Sequence, residues 1–130
     1  MDKLNIAIAG TGFGASVHLP ALRNSEKLNA FSFFHHKKNK KDEIENKYGI
    51  KCYCDWQQLI SNNEIDGIII ATPPESRFAL AREALLNNKH LLLEKPVAIT
   101  SEEIKELHKL ALRENLSVCV DFEYRVVPHF

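Results

Sequence analysis

The residues with the clearest chemical purpose are Gly10-Thr11-Gly12-Phe13-Gly14-Ala15, which follow a strand-like run, Leu4 to Ala9, and lead at once into a helical stretch from Ser16 to Leu22. A strand, a glycine-rich turn and a helix in that order make a cradle for phosphates. Gly10 permits a sharp exit from the strand, and Gly12 leaves no Cβ between the backbone and a pyrophosphate. Ala15 is small enough for the helix to pack closely on the strand. The helix N-terminus then offers unpaired N–H groups and the positive end of its dipole. In another setting the same hexapeptide is only a tight turn that needs glycine; the flanking strand and helix select the phosphate-binding reading.

Six apolar, β-rich runs have to hold this turn in place: Leu4 to Ala9, Leu28 to Phe34, Ile50 to Cys54, Asp66 to Ala71, His90 to Glu94 and Ser117 to Phe122. Helical patterns separate most of them. Residues 15–24 carry Val17, Leu19, Ala21 and Leu22, and residues 39–48 carry Ile44 and Tyr48 in a charged background, so each predicts a surface helix with one buried side. Glu75 to Leu86 sets Phe78, Leu80, Ala81, Ala84 and Leu85 on a helical pattern, and Thr100-Ser101-Glu102-Glu103 opens the Ile104, Leu107, Leu110, Ala111 stripe with capping chemistry. This alternation predicts an α/β fold, a doubly wound parallel sheet of the Rossmann type with right-handed crossovers and strand order 3-2-1-4-5-6. Asp66 to Ala71 is continuously apolar after its first residues, as a central strand covered on both faces should be. The length suits one domain, residues 1–130.

Lys plus Arg and Asp plus Glu number 17 each, so there is neither a basic stripe for nucleic acid nor a surface that seeks membranes. A small molecule is the expected partner. The first residues lack the apolar stretch of a signal peptide, and no run approaches the roughly 18 apolar residues of a membrane span, so a cytoplasmic location is expected. Cys52, Cys54 and Cys119 are odd in number, and the first two lie too close together for a zinc knuckle. They read as small buried hydrophobes in a reducing compartment, and no metal is expected.

Three further strings stand where strands end: Ala71-Thr72-Pro73-Pro74, Glu94-Lys95-Pro96 and Phe122-Glu123-Tyr124-Arg125. The carboxyl ends of strands are where open α/β sheets bind ligands. Together with Gly10 to Pro20 and the Lys47-Tyr48-Gly49-Ile50 lead into the third strand, they make the chain resemble the N-terminal half of the Gfo/Idh/MocA oxidoreductases, the glucose–fructose oxidoreductase and inositol dehydrogenase family. The resemblance covers essentially the whole chain. It implies NAD or NADP bound on this domain and hydride transfer to or from a sugar, polyol or related carbonyl compound. It assigns Gly10, Thr11, Gly12, Phe13, Gly14, Thr72, Pro73, Pro74, Glu94 and Lys95 to the cofactor site and makes Lys95 the candidate catalytic cation, able to hydrogen-bond a substrate oxygen and stabilise negative charge developing there. It also implies a Lys95–Pro96 bond that is often cis. Thr72, Pro73 and Pro74 form a rigid turn that can lie against ribose or nicotinamide. Where the family commonly has a histidine three residues beyond the second proline, this chain has Arg77, which reads as an exposed helix residue.

An acid ending the second strand, about 20 residues beyond the glycines, would favour NAD. His35 occupies that position, followed by His36, Lys37 and Lys38. Without a carboxylate there, the basic residues favour NADP by attracting a ribose phosphate, or they form only a solvated loop. His18 reads as a packing or positional residue, and His90 and His108 as structural or exposed. Hydride transfer needs a second wall over the nicotinamide, which the resembled family supplies from a C-terminal substrate domain with its own histidine. Neither His129 nor any other histidine here matches it, and that domain is expected to be absent from these residues. Arg125 would reach the site mouth or brace the missing domain, and the apolar surface near the end of the chain invites a partner or a second copy. Competing readings are a non-catalytic dinucleotide-binding sensor and, less well matched, a methyltransferase.

Overall fold

The computed structural model describes residues 2–128. Its framework is a six-stranded parallel sheet in the order β3-β2-β1-β4-β5-β6, as the alternation predicts. The strands are β1 (Leu4–Ala9), β2 (Leu28–Phe34), β3 (Lys51–Tyr53), β4 (Gly67–Ile70), β5 (His90–Glu94) and β6 (Val118–Asp121). Every residue of β4 is buried, which explains why its sequence does not alternate: Ile69 joins the core on one face of the sheet, and Ile68 and Ile70 join the other.

The first face packs under α1 (Leu19–Arg23) and α2 (Lys41–Tyr48), where Leu19, Leu22 and Ile44 meet Ile8, Phe33 and Cys52. The second is covered by α3 (Trp56–Ile60), α4 (Pro74–Leu86) and α5 (Ser101–Arg113), which bring Leu59, Leu85 and Leu107 onto Ala7, Ile68 and Leu93. The capping signal of α5 is present in full: Thr100 accepts from the Glu103 N–H, and the Glu103 side chain accepts from the Thr100 N–H.

Three elements differ from the sequence-based expectation. The helix expected over residues 15–24 begins as a π-helical turn, Gly14–His18, in which the Leu19 N–H reaches back to Gly14 O. Pro20 has no N–H to give to Ser16, so the ordinary α-helical spacing cannot run through this point. The helix expected over residues 39–48 starts as a 3₁₀ turn, Lys38–Lys40, before α2. The short α3 was not expected; Asp55 caps it by accepting from the Gln57 and Gln58 N–H groups at 2.9 and 3.4 Å. The cysteine reading holds only for Cys52, whose thiol burial pushes up to about 12; Cys54 is half-buried and Cys119 exposed. No helix among the described residues is long and apolar enough to cross a membrane.

Candidate functional site

At the carboxyl edge the three glycines divide the labour of one turn. Gly10 has φ +108°, and a Cβ there would lie 2.7 Å from the Ala71 carbonyl, so the chain leaving β1 passes directly over the end of β4. A Cβ on Gly14 would meet Ile8 Cγ2 at 2.7 Å, which makes Gly14, alongside the buried Ala15, the point where helix approaches strand. A Cβ on Gly12 would meet nothing within 4 Å. Steric crowding inside the protein therefore explains Gly10 and Gly14 but not Gly12, whose bare backbone faces open space of the kind a pyrophosphate would fill.

Thr11 continues this surface into a cleft of about 230 Å³ shared with His35, Lys40, Glu43, Ile44, Lys47 and Tyr48. His35 sits at the end of β2, its N–H on Tyr53 O and its Nδ1 accepting from the Lys37 N–H. Burial first and His36 second hold its imidazole below the ordinary range, and the two rings stack at 5.0 Å, so His35 presents a neutral aromatic face. His36 and Lys37 are exposed and do not line the cleft, and Lys38 lines a different hollow along the β3 edge. The cations of the cleft are Lys40, paired with Glu43 at 2.7 Å, and Lys47. Sequence reading missed both, although their spacing of seven residues puts them on one helical face about two turns apart.

Beyond β4, Ser76 Oγ donates to Thr72 Oγ1 at 2.9 Å, and Pro74 opens α4. Arg77 corrects the sequence expectation: it is buried, at 5% exposure. Its guanidinium donates to Thr72 O at 2.9 Å, to Glu94 O at 2.8 Å and to Pro96 O. A planar fork of donors suits three carbonyls that converge from two loops, and these bonds compensate the desolvation of the charge. The fork ties the Thr-Pro-Pro turn to the Glu-Lys-Pro turn.

The Lys95–Pro96 peptide is cis. Glu94 and Lys95 point apart. Lys95 is half exposed, with Nζ 3.9 Å from Glu123 Oε1, at a mostly apolar cleft of about 450 Å³ lined also by Phe122, Tyr124 and Arg125. The Glu94 carboxyl is buried against His18, whose Nε2 lies 2.7 Å from Oε1, and Asp121 Oδ2 stands 3.7 Å from the same nitrogen. Burial, with Asp121 adding to it and His18 partly offsetting it, raises the Glu94 carboxyl above its usual range. The pairing of Glu94 with Asp121 across β5 and β6 follows from strand register, which the sequence alone does not display. His129 and Phe130 lie outside the described residues.

A glycine cradle at the point where the strand order reverses, between β1 and β4, with binding loops along one edge, defines a dinucleotide-binding Rossmann domain. Residues 4–122 match the Gfo/Idh/MocA family, described as an oxidoreductase family with an NAD-binding Rossmann fold. The chain belongs to this family and is its nucleotide-binding domain. It is 37% identical over 127 residues to an uncharacterized oxidoreductase of Synechocystis sp., covering 97% of this chain and 34% of that protein. Over 124 residues it is 28% identical to glucose-6-phosphate 3-dehydrogenase of Bacillus subtilis, covering 95% of this chain and 35% of that one. The solved biliverdin reductase of Synechocystis sp., in complex with biliverdin and NADP+, superposes with a TM-score of 0.83 at 30% identity, covering 91% of this chain and 37% of that one. The chain thus spans about a third of the length of the curated relatives it matches.

Proposed function

We propose that the chain is the cofactor-binding half of an enzyme that transfers hydride between NADP and a sugar, polyol or related carbonyl compound. The observation that carries this reading is the placement of Lys95 at the end of β5, on the same sheet edge as the open Gly12 cradle and beside an open cleft. When bound, the nicotinamide supplies the hydride chemistry. The backbone from Gly10 to Gly14 would hold the pyrophosphate, and Thr72, Pro73 and Pro74, fixed by Arg77, would line the path from phosphate to nicotinamide. Lys95 is the group placed to donate to a substrate oxygen and stabilise charge gathering there. Sugar chemistry is supported by likeness to a sugar-phosphate dehydrogenase, and the similar likeness to biliverdin reductase supports leaving the choice of substrate to residues beyond this half. The exposed Phe122 and Tyr124 line the Lys95 cleft, which supports cover by a substrate domain or by a second copy of the chain.

The preference for NADP rests on the cleft next to Thr11, where Lys40 and Lys47 outnumber Glu43 and no carboxylate ends β2. Calorimetry with both dinucleotides should show NADP preferred by up to about 3 kcal/mol, the reach of hydrogen bonds to charged groups. Lys40→Ala should weaken NADP and leave NAD unchanged. A preference for NAD, or equal losses for both, would reject this assignment of the cleft.

A further inference from the structure

The His18, Glu94 and Asp121 cluster lies behind the cofactor edge and is used by no step above. His18 and Glu94 are each 6% exposed, their contact is 2.7 Å, and the nearest ligating atoms of all three residues lie within 4.8 Å of one another. The Glu94 and Asp121 carboxyls both approach His18 Nε2, at 2.7 and 3.7 Å, and stand side by side with oxygens within 4.8 Å of each other. Two carboxyls can bond to each other only when one carries a proton, because ionised carboxylates are acceptors alone. A buried imidazole donating to one of them accounts for one negative charge, and the shared proton accounts for the other. The 2.7 Å contact is a hydrogen bond, shorter than two ligands on one metal ion normally approach.

The cluster touches each part of the binding edge. The ring of Phe13, in the glycine turn, meets the His18 ring edge-on at 5.4 Å. Glu94 precedes Lys95, and its own carbonyl is held by Arg77 from α4. Asp121 closes β6 beside the Lys95–Glu123 pair. The charged groups facing Glu94 are therefore His18 from the π-helical turn, Asp121 from β6 and Arg77 from α4, with Lys95 and Glu123 in the loops that follow. We propose that His18, Glu94 and Asp121 form one proton-holding network that positions the glycine turn against the Glu94–Pro96 loop and makes dinucleotide binding depend on the network's shared proton.

The sign follows from the charges. While the proton is held, the three side chains draw the π-helical turn, β5 and β6 together. Its loss leaves two carboxylates side by side in a poorly solvated place, where they repel, and adds negative charge behind a site for an anionic ligand. Binding should therefore weaken as pH rises. The raised carboxyl of Glu94 agrees: a folded protein that holds a proton more tightly than its unfolded chain is favoured at low pH and loses that gain as pH rises through the folded value. Asp121→Asn supplies a permanent donor to Glu94, and Glu94→Gln accepts from His18 while donating to Asp121. Both replace the labile proton with one that does not titrate in this range.

This proposal rests on dinucleotide binding by the chain, and the test separates the two. NADP affinity is measured by calorimetry from about pH 4.5 to pH 9, a span that begins near the ordinary carboxylate range, for the native chain, Asp121→Asn and Glu94→Gln, with thermal melts to confirm folding. Titration of the ligand and of groups outside the network is common to all three and cancels in the comparison. The native Kd should rise about fivefold or more toward high pH relative to Asp121→Asn, the lower end of ordinary coupling between sites. Nitrogen NMR should find the His18 hydrogen on Nε2. Parallel pH profiles for native and variant chains would overturn the network while leaving the cofactor reading intact. Absence of NADP binding at every pH would overturn the cofactor reading itself. Stoichiometric Zn²⁺ displacing the Nε2 hydrogen would make the cluster a metal site and reject the proton.

Discussion

Gly12 and Gly14 have equal standing in the glycine-rich turn, yet a side chain at each meets different surroundings. Gly12→Val would project into open space where we place the pyrophosphate, so NADP binding should be abolished while the melting temperature holds. Gly14→Val would drive its Cβ into Ile8, a fully buried residue of β1, and should destabilise the fold by about 1–3 kcal/mol, as overpacking commonly does. Calorimetry and chemical denaturation on the two variants give opposite patterns if this division is right. A Gly12→Val chain that binds normally would remove Gly12 from the site. At the same scale, His35 shows that a residue in the expected place can have an unexpected character: its stacked, partly buried ring is suited to an aromatic contact, and the cations that line the cleft with it are Lys40 and Lys47.

Arg77 belongs to the scale of elements, because it joins the end of β4 to the end of β5 through three carbonyls. Arg77→Ala leaves those acceptors in a largely enclosed place without donors, and a cost of about 3 kcal/mol is expected from urea unfolding. Arg77→Lys should recover little of it, since one ammonium cannot reproduce the planar fork. NADP affinity should fall with both variants, because the two loops that Arg77 aligns would line the nicotinamide half of the site. Unchanged stability in Arg77→Ala would show that the loops hold each other without it. The residue was misread in sequence because a charge on a helical pattern is ordinarily counted as outward-facing. Here the first turn of α4 begins at the carboxyl edge of the sheet, and carbonyls from the loops there satisfy a buried cation.

On the scale of the whole molecule, the domain offers one wall of a reaction site. Lys95 is half exposed at an open cleft, and hydride transfer requires reactants held in place and shielded from competing water. The 130-residue chain alone should therefore show no turnover with a panel of aldoses and polyols at saturating NADP or NADPH. Fusion to the remaining portion of the Synechocystis relative should yield activity that Lys95→Ala lowers by about a hundredfold or more, the usual scale for loss of a group that stabilises an oxyanion. Robust Lys95-dependent turnover by the chain alone would place the second wall within this domain or within an assembly of its copies.

Local chemistry and periodicity determined much of this protein from sequence. The glycine turn, the apolar period of α4 and α5, the Thr100–Glu103 cap and the continuous apolar run of β4 each act over a few residues, and together they made the doubly wound sheet and its strand order legible. The strings at the strand ends were legible for the same reason. What tertiary structure decided was which side chains meet across those ends. His18 reaches Glu94, 76 positions away, and Glu94 faces Asp121 only through the register of β5 and β6. Arg77 turns inward only because carbonyls from two separate loops converge on it. Lys40 and Lys47 enter the cleft beside Thr11 through the packing of α2 against the first face of the sheet. A single sequence shows what each residue can donate or accept, but the partner is fixed by the folding of distant strands onto one edge.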